Sequence, residues 1–387
     1  MEPCVDLTIL LPLKDWEMFT RRWLSYAATV RLPYRILIAD GGANPIDAEV
    51  IAEARERGLD IDYLRYPIDS DYLTYYTKLA DAAARVTTPF VVMVDNDDFV
   101  IPDGLQRAVR FLRDHPTYVA CGGQCAAFWM PGVEESIKLH GDRVEWKYSS
   151  RSWDDGGMTA EQRLRERSLG ANDVFYSVHR TPLLHNYLAA VRDCNPRDLF
   201  LLAELVRVLT AIAGKTRQLE TLCLARQQES PGSSGGAHER EFGNWYERML
   251  VPTWSEDFAR FVDAAATALA DADSMPIEQA RRVIVDTYKM SIAPVLLADV
   301  LKEPTVSFSM PFSLQVIRHI VDLPRTSLVR RAAQGLYRRA RWLSHDLVYG
   351  IEYLSSRAST AAQEFTPVRE FLTARDAGRD PRSRDRP

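Results

Sequence analysis

Phe90-Val91-Val92-Met93-Val94-Asp95-Asn96-Asp97-Asp98-Phe99 is an apolar run that stops abruptly in three acids. Apolar, largely β-branched runs of this kind are the pattern of strands buried on both faces of a parallel sheet. In open α/β sheets the ligand site lies just beyond the carboxyl ends of such strands. Carboxylates placed there suit a hard divalent cation, which takes oxygen ligands and commonly bridges to phosphates. An Asp-x-Asp alone is common on solvated loops; its place at a strand end gives it weight.

Working upstream, Leu7–Leu11 reads as a first strand closed by Pro12, and Trp16–Val30 as a helix with large aromatics on its sheet-facing side. Arg35–Ala39 is a second strand, followed by the turn Asp40-Gly41-Gly42, where glycine permits positive φ or close approach of a ligand. Ile46–Arg57 is helical with Gly58 as its C′ residue, Ile61–Leu64 is a short third strand, and Tyr75–Val86 is the helix before the fourth. This alternation is a βαβ series with a parallel sheet. Two of its strand ends carry acids, Asp40 and the Asp95–Asp98 cluster.

Downstream, the spacing predicts a helix over Pro102–Leu112, strands over Tyr118–Gly123 and Asp173–His179, and an insertion of strands and loop over 131–165. Leu199–Ala213 is a strong helix ended by Gly214, and the Ser/Gly-rich 229–240 reads as a flexible loop. Helical patterns follow near 255–272, 277–300 and 313–322, then an arginine-dense one over Ser327–Ser356. The end, from about 373 to 387, has the composition of a disordered tail.

At 387 residues the chain is long enough for two domains. A formal net charge of −5 argues against nucleic acid as the main partner. The five cysteines form no paired framework, and Cys121 and Cys125 lack a second pair to complete a zinc site, so buried thiols in a reducing cytosol are expected. No leader pattern opens the chain, and its longest apolar stretch, 199–214, carries Glu204 and Arg207. The expectation is a soluble, cytoplasmic protein.

Taken together, Leu7–Pro12, Ile36–Gly42 and Phe90–Phe99 followed by Pro102 resemble the nucleotide-sugar-binding half of a family 2-type glycosyltransferase of the GT-A fold. The likeness continues more loosely through Glu204–Lys215 and Arg226. It implies a Rossmann-like, mostly parallel α/β sheet flanked by helices, with a C-terminal helical region. The implied division is a GT-A domain over 1–228, split near 125 into donor and acceptor halves, the loop 229–240, helices over 241–372 and a tail over 373–387. The implied activity is metal-dependent transfer of a sugar from a nucleotide-diphosphate donor to a hydroxyl on a saccharide or lipid-linked acceptor, with inversion, in polysaccharide or glycolipid biosynthesis.

Residue by residue, the resemblance places Pro12, Asp15, Asp40, Gly41, Lys78, Asp95, Asn96 and Arg226 at the donor. It places Asp95 and Asp97 on Mn²⁺ or Mg²⁺, with His238 as a further ligand beyond the Ser/Gly loop. Glu204 or Asp198 is the general base: Glu204 fits the spacing to Gly214-Lys215, while Asp198 fits a helix N-terminus. An ion pair with Arg207 is the alternative for Glu204, and Asp173 is a third acid. The basic, amphipathic 327–356 suits either an anionic membrane surface or packing on neighbouring helices; the C-terminal helices also offer a homo-oligomer surface. Two rival functions are a nucleotide- or carbohydrate-binding scaffold without turnover, and a nucleotidyltransferase, which would normally show a Gly-rich basic phosphate loop after the first strand.

Overall fold

The apolar runs form strands side by side: β1 (Leu7–Leu13), β2 (Arg35–Asp40), β3 (Ile61–Arg65) and β4 (Phe90–Met93), all parallel in the order β4-β1-β2-β3. The computed structural model describes residues 6–130, 139–149, 153–168, 174–228, 234–302, 351–353 and 360–374. Helices α1 (Glu17–Thr29), α2 (Ala48–Glu56) and α3 (Tyr72–Ala84) make the crossovers. Register sets the rim of the site: Leu13 pairs with Asp40 and Asp40 with Arg65, so three strand ends lie in one row. The Val94 amide donates to the Leu10 carbonyl (3.1 Å), which brings Asp95 out beside that row.

Beyond β4 come β5 (Phe99–Val100), α4 (Pro102–Asp114), β6 (Tyr118–Trp129), β7 (Glu145–Ser149), β8 (Trp153–Asp155) and α5 (Ala160–Ser168). Then follow β9 (Val178–Arg180), α6 (Thr181–Cys194), α7 (Leu199–Ala213), β10 (Lys215–Gln227), α8 (Ser234–Phe242), α9 (Trp245–Met249), α10 (Pro252–Asp273) and α11 (Ile277–Lys302). The last described elements are β11 (Ile351–Tyr353) and a helix over Thr360–Thr373, here α12. β9 lies antiparallel between β4 and β6, and β10 runs parallel to β6.

Several boundaries differ from the sequence reading for identifiable reasons. α3 starts at Tyr72, because Asp71 caps it by accepting the Thr74 amide (2.8 Å). β6 continues through the glycines expected to end it; a Cβ at Gly123 would sit on the Thr221 carbonyl of β10, so glycine there lets two backbones approach. β10 was not expected as a strand. The loop anticipated over 229–240 is helical from Ser234. Of the arginine-dense segment, 351–353 is a strand paired with β7 rather than helix, and 327–350 and 354–356 lie outside the described residues, as do 313–322 and 375–387.

Apolar residues fill both faces of the sheet. One layer joins β1, β2 and β4 to α3, α6 and α7 and runs on without a break into α10 and α11 (Phe261, Leu269, Val283, Ile284). The opposite layer is built with α1, α2 and α4. A third cluster lies where Phe128, Trp146 and Leu222 meet α12 through Phe365 and Leu372. No helix among the described residues is long and apolar enough to cross a membrane.

Candidate active site

The turn Asp95–Asp98 is held from below by α1. Asn96 Nδ2 donates to Thr20 Oγ1 (3.0 Å), and the buried Arg22 donates to the Asp97 carbonyl (2.9 Å) and to Gln227 Oε1 (2.8 Å). The Arg22 guanidinium lies against the rings of Phe19 and Phe99, each 4.8 Å away. Burial lowers its pKa to about 10, with Asp97 and Asp98 opposing, so it remains a cation at neutral pH. Sequence reasoning missed Arg22; the available signal was a charge on the apolar stripe of α1, beside Phe19, Trp23 and Tyr26.

Asp95, Asp97 and Asp98 each present a carboxylate oxygen within 4.8 Å of the others. All three line a cavity of about 290 Å³ with Lys14 and Trp16 from the β1–α1 loop, Tyr75, Tyr176, Phe200 and Arg226. The Tyr176 hydroxyl donates to Asp95 Oδ2 (2.5 Å). Arg226 Nε donates to Asp98 Oδ2 (3.2 Å), and the Gln227 amide to Asp98 Oδ1 (3.0 Å). Burial lifts the Asp98 carboxyl well above the usual carboxylate range; Asp97 and Asp95 add to this and Arg226 opposes it. Three hard oxygen donors crowded together fit Mg²⁺ or Mn²⁺ by the chemistry of the donor set. The third acid of that set is Asp98, where the sequence reading had His238.

A smaller cavity of about 180 Å³ adjoins, lined by Asp15, Trp16, Asp40 and Asn44 among others. Asp15 (φ 60°) and Trp16 (φ 56°) are consecutive left-handed residues, a strained arrangement for non-glycine side chains. Asp15 Oδ1 accepts the Ala43 amide (2.7 Å), tying this turn to the end of β2. Asp40 lies at the cavity, but its carboxylate already accepts from the Gly42 amide (2.8 Å), the Ile46 amide (3.1 Å), the Tyr63 hydroxyl (2.6 Å) and Arg65 (2.9 Å). Four donors satisfy the acceptor positions of one carboxylate, so Asp40 organises its loop.

Four further residues of the expected site are engaged with their neighbours in the fold. Lys78 does not line either cavity: it is buried in an ion pair with Asp69 and donates to the Leu13 carbonyl (2.8 Å), bracing the β1–α1 loop from behind. Gly41 is glycine because a Cβ would run into that Asp69 carboxylate. Glu204 is paired with Arg207 one turn on, and Arg207 also reaches Ser291 of α11 (3.4 Å); neighbouring Ala203 faces the cavity instead. Asp198 caps α7 through the Phe200 amide (2.9 Å) and accepts from the buried Arg248 (3.1 Å).

His238 stands apart from the acid cluster. Its Nδ1 shares a hydrogen with the Tyr72 hydroxyl (2.7 Å), its Nε2 lies 3.5 Å from Asp198 Oδ1, and it lines a separate cavity of about 580 Å³. Pro12, Asp95, Asn96, Asp97 and Arg226 line one cavity. Asp173 lies outside the described residues.

The fold is an open, mostly parallel α/β sheet flanked by helices, with an acid cluster beyond one of its central strands. Residues 15–183 match the family model of glycosyl transferase family 2, and on that match the chain is read as a glycosyltransferase. No curated protein matches the sequence. Among solved structures, S. aureus TarS 1–349 in complex with UDP-GlcNAc is 11% identical, with a TM-score of 0.45 over 78% of this chain and 77% of that one. The same TarS fragment in complex with UDP is 12% identical, with a TM-score of 0.43 over 78% and 76%.

Proposed function

We propose that this chain moves a sugar from a nucleoside-diphosphate donor to a hydroxyl acceptor, with a divalent cation held by Asp95, Asp97 and Asp98. The observation that carries this reading is the convergence of those carboxylates within 4.8 Å on the wall of the cavity beyond β4. Mn²⁺ or Mg²⁺ bound there would neutralise the charge that develops as the nucleoside diphosphate leaves. Lys14 and Arg226, on the same wall, supply positive charge toward the phosphates. The strained Asp15–Trp16 turn and the small cavity beside it frame the base.

The acceptor hydroxyl must lose a proton to a general base. With Glu204 committed to a partly buried ion pair and Asp198 to a buried one, the acid to test first is Asp173, two positions before the cavity-lining Phe175. On this reading the reaction inverts the anomeric carbon and serves polysaccharide or glycolipid assembly on a saccharide or lipid-linked acceptor, at the cytoplasmic face of a membrane.

The test is thermal stabilisation of wild type and Asp97→Ala by uridine, guanosine, thymidine and adenosine diphosphates, with and without Mn²⁺. At a hundredfold excess over Kd, a bound ligand stabilises by about 2.7 kcal/mol. A Mn²⁺-dependent shift with one base in wild type, lost in a folded Asp97→Ala, is expected. No shift with any base sinks the reading. Donor binding without turnover is the second reading, favoured by the same engagement of Glu204 and Asp198. It predicts a stabilising nucleotide but neither transfer nor hydrolysis of the matching nucleotide sugar.

A further inference from the structure

Three carboxylates within 4.8 Å repel one another, and a buried one among them is costly unless a positive charge stands close by. In this fold two arginines supply it, the buried Arg22 behind the turn and Arg226 at the cavity, and Arg226 is the one that pairs with the Asp98 carboxylate from the solvent side. Its Nε donates to Asp98 Oδ2 (3.2 Å), its Nη2 reaches the Tyr176 hydroxyl (3.3 Å), and its guanidinium lies 4.5 Å over the Tyr176 ring. Tyr176 in turn donates to Asp95, so one arginine and one phenol brace two of the three acids.

We propose that Arg226 is an exchangeable counter-ion: it occupies the acid cluster until a divalent cation arrives, then turns to the diphosphate that the cation brings. This rests on the cation reading given above. The exposures say which partner moves: the Asp98 side chain is 3% exposed and that of Arg226 is 37% exposed. Asp98 is fixed and also accepts the Gln227 amide on Oδ1, so it keeps a donor when Oδ2 is released to a cation. Arg226 has solvent on one side and the cavity on the other, and its planar fork of donors suits phosphate oxygens. Tyr176 stays on Asp95 through the exchange and is a positioning residue.

The mechanism makes opposite predictions for two ligands of one variant. Mn²⁺ alone, titrated by water-proton relaxation, should bind Arg226→Gln at least about fivefold more tightly than wild type, because the arginine paired with Asp98 no longer competes for its Oδ2. Inorganic pyrophosphate, titrated at saturating Mn²⁺, should bind the same variant about tenfold more weakly, because its arginine contact is gone. Arg226→Lys keeps the charge and should bind Mn²⁺ like wild type; it stands in if Arg226→Gln does not fold, with weaker pyrophosphate binding then expected from the lost fork geometry. Mn²⁺ binding that is unchanged or weaker in Arg226→Gln overturns the exchange while leaving the cation site intact. Wild type that binds no Mn²⁺ overturns the cation site and the exchange together.

Discussion

Asp198 shows how a carboxylate with the right position in the sequence can be committed elsewhere by its surroundings. Burial pushes its pKa up, but the hydrogen bond from His238 and the charge of Arg248 outweigh it, and the group is held below the ordinary aspartate value. Arg248 is itself 1% exposed in its side chain and stacked between Phe200 and Trp245. Asn in place of Asp198 would still cap α7, since its oxygen accepts the Phe200 amide, but would leave Arg248 buried without its anion. Asp198→Asn is therefore expected to lose about 3–5 kcal/mol in urea unfolding at pH 7. The sign of the pH dependence follows from the lowered pKa: the stabilisation is present above about pH 3.9 and is lost as pH falls below it. The variant should thus show a shallower acid loss than wild type. A general base would behave otherwise, losing transfer with the unfolding midpoint unmoved. The residue types at the site were legible in the sequence, and Asp95, Asp97 and Arg226 do meet. Partners were not: Asp40, Lys78 and Glu204 look like chemistry until Tyr63, Asp69 and Arg207 appear beside them.

At the scale of elements, β10 and α12 account for most of what the sequence reading lacked. β10 opens with Lys215-Thr216-Arg217-Gln218 and shifts register against β6 on both sides of Leu222, so no clean alternation marks it as a strand. The bulge frees the Leu222 amide, and Glu364 of α12 accepts it (2.8 Å) together with the Thr221 hydroxyl (2.6 Å). α12 is held in turn by Phe365, fully buried and stacked on Trp146 with centroids 4.3 Å apart. Phe365→Ala should cost about 3–5 kcal/mol, measured by denaturant unfolding, because a buried aromatic leaves a cavity its neighbours cannot close. Since β10 also carries Arg226 and Gln227, the same variant should weaken nucleotide binding without touching a cavity residue. An unfolding midpoint like wild type would show that α12 is only laid on the surface.

At the scale of the whole molecule, the sheet with its flanking helices and the helices α10 and α11 share one core. Leu205 and Val208 of α7 pack in the same cluster as Phe261 and Leu269 of α10 and Ile284 of α11, with Arg207 and Ser291 joined across the boundary. A chain ended after Phe242 would expose that surface, so it should lack a cooperative unfolding transition and bind a hydrophobic dye. A sharp transition in the shortened chain would instead support the division expected between 228 and 241. By itself, the sequence determined the βαβ alternation, the parallel character of its first strands and the acid cluster beyond the fourth, because these are local patterns of period and punctuation. Only the tertiary structure decided which charges are free for chemistry and which are spent on a neighbour. Ion pairs such as Lys78–Asp69 and Arg248–Asp198 form between residues whose proximity is set by packing, and no spacing along the chain encodes it.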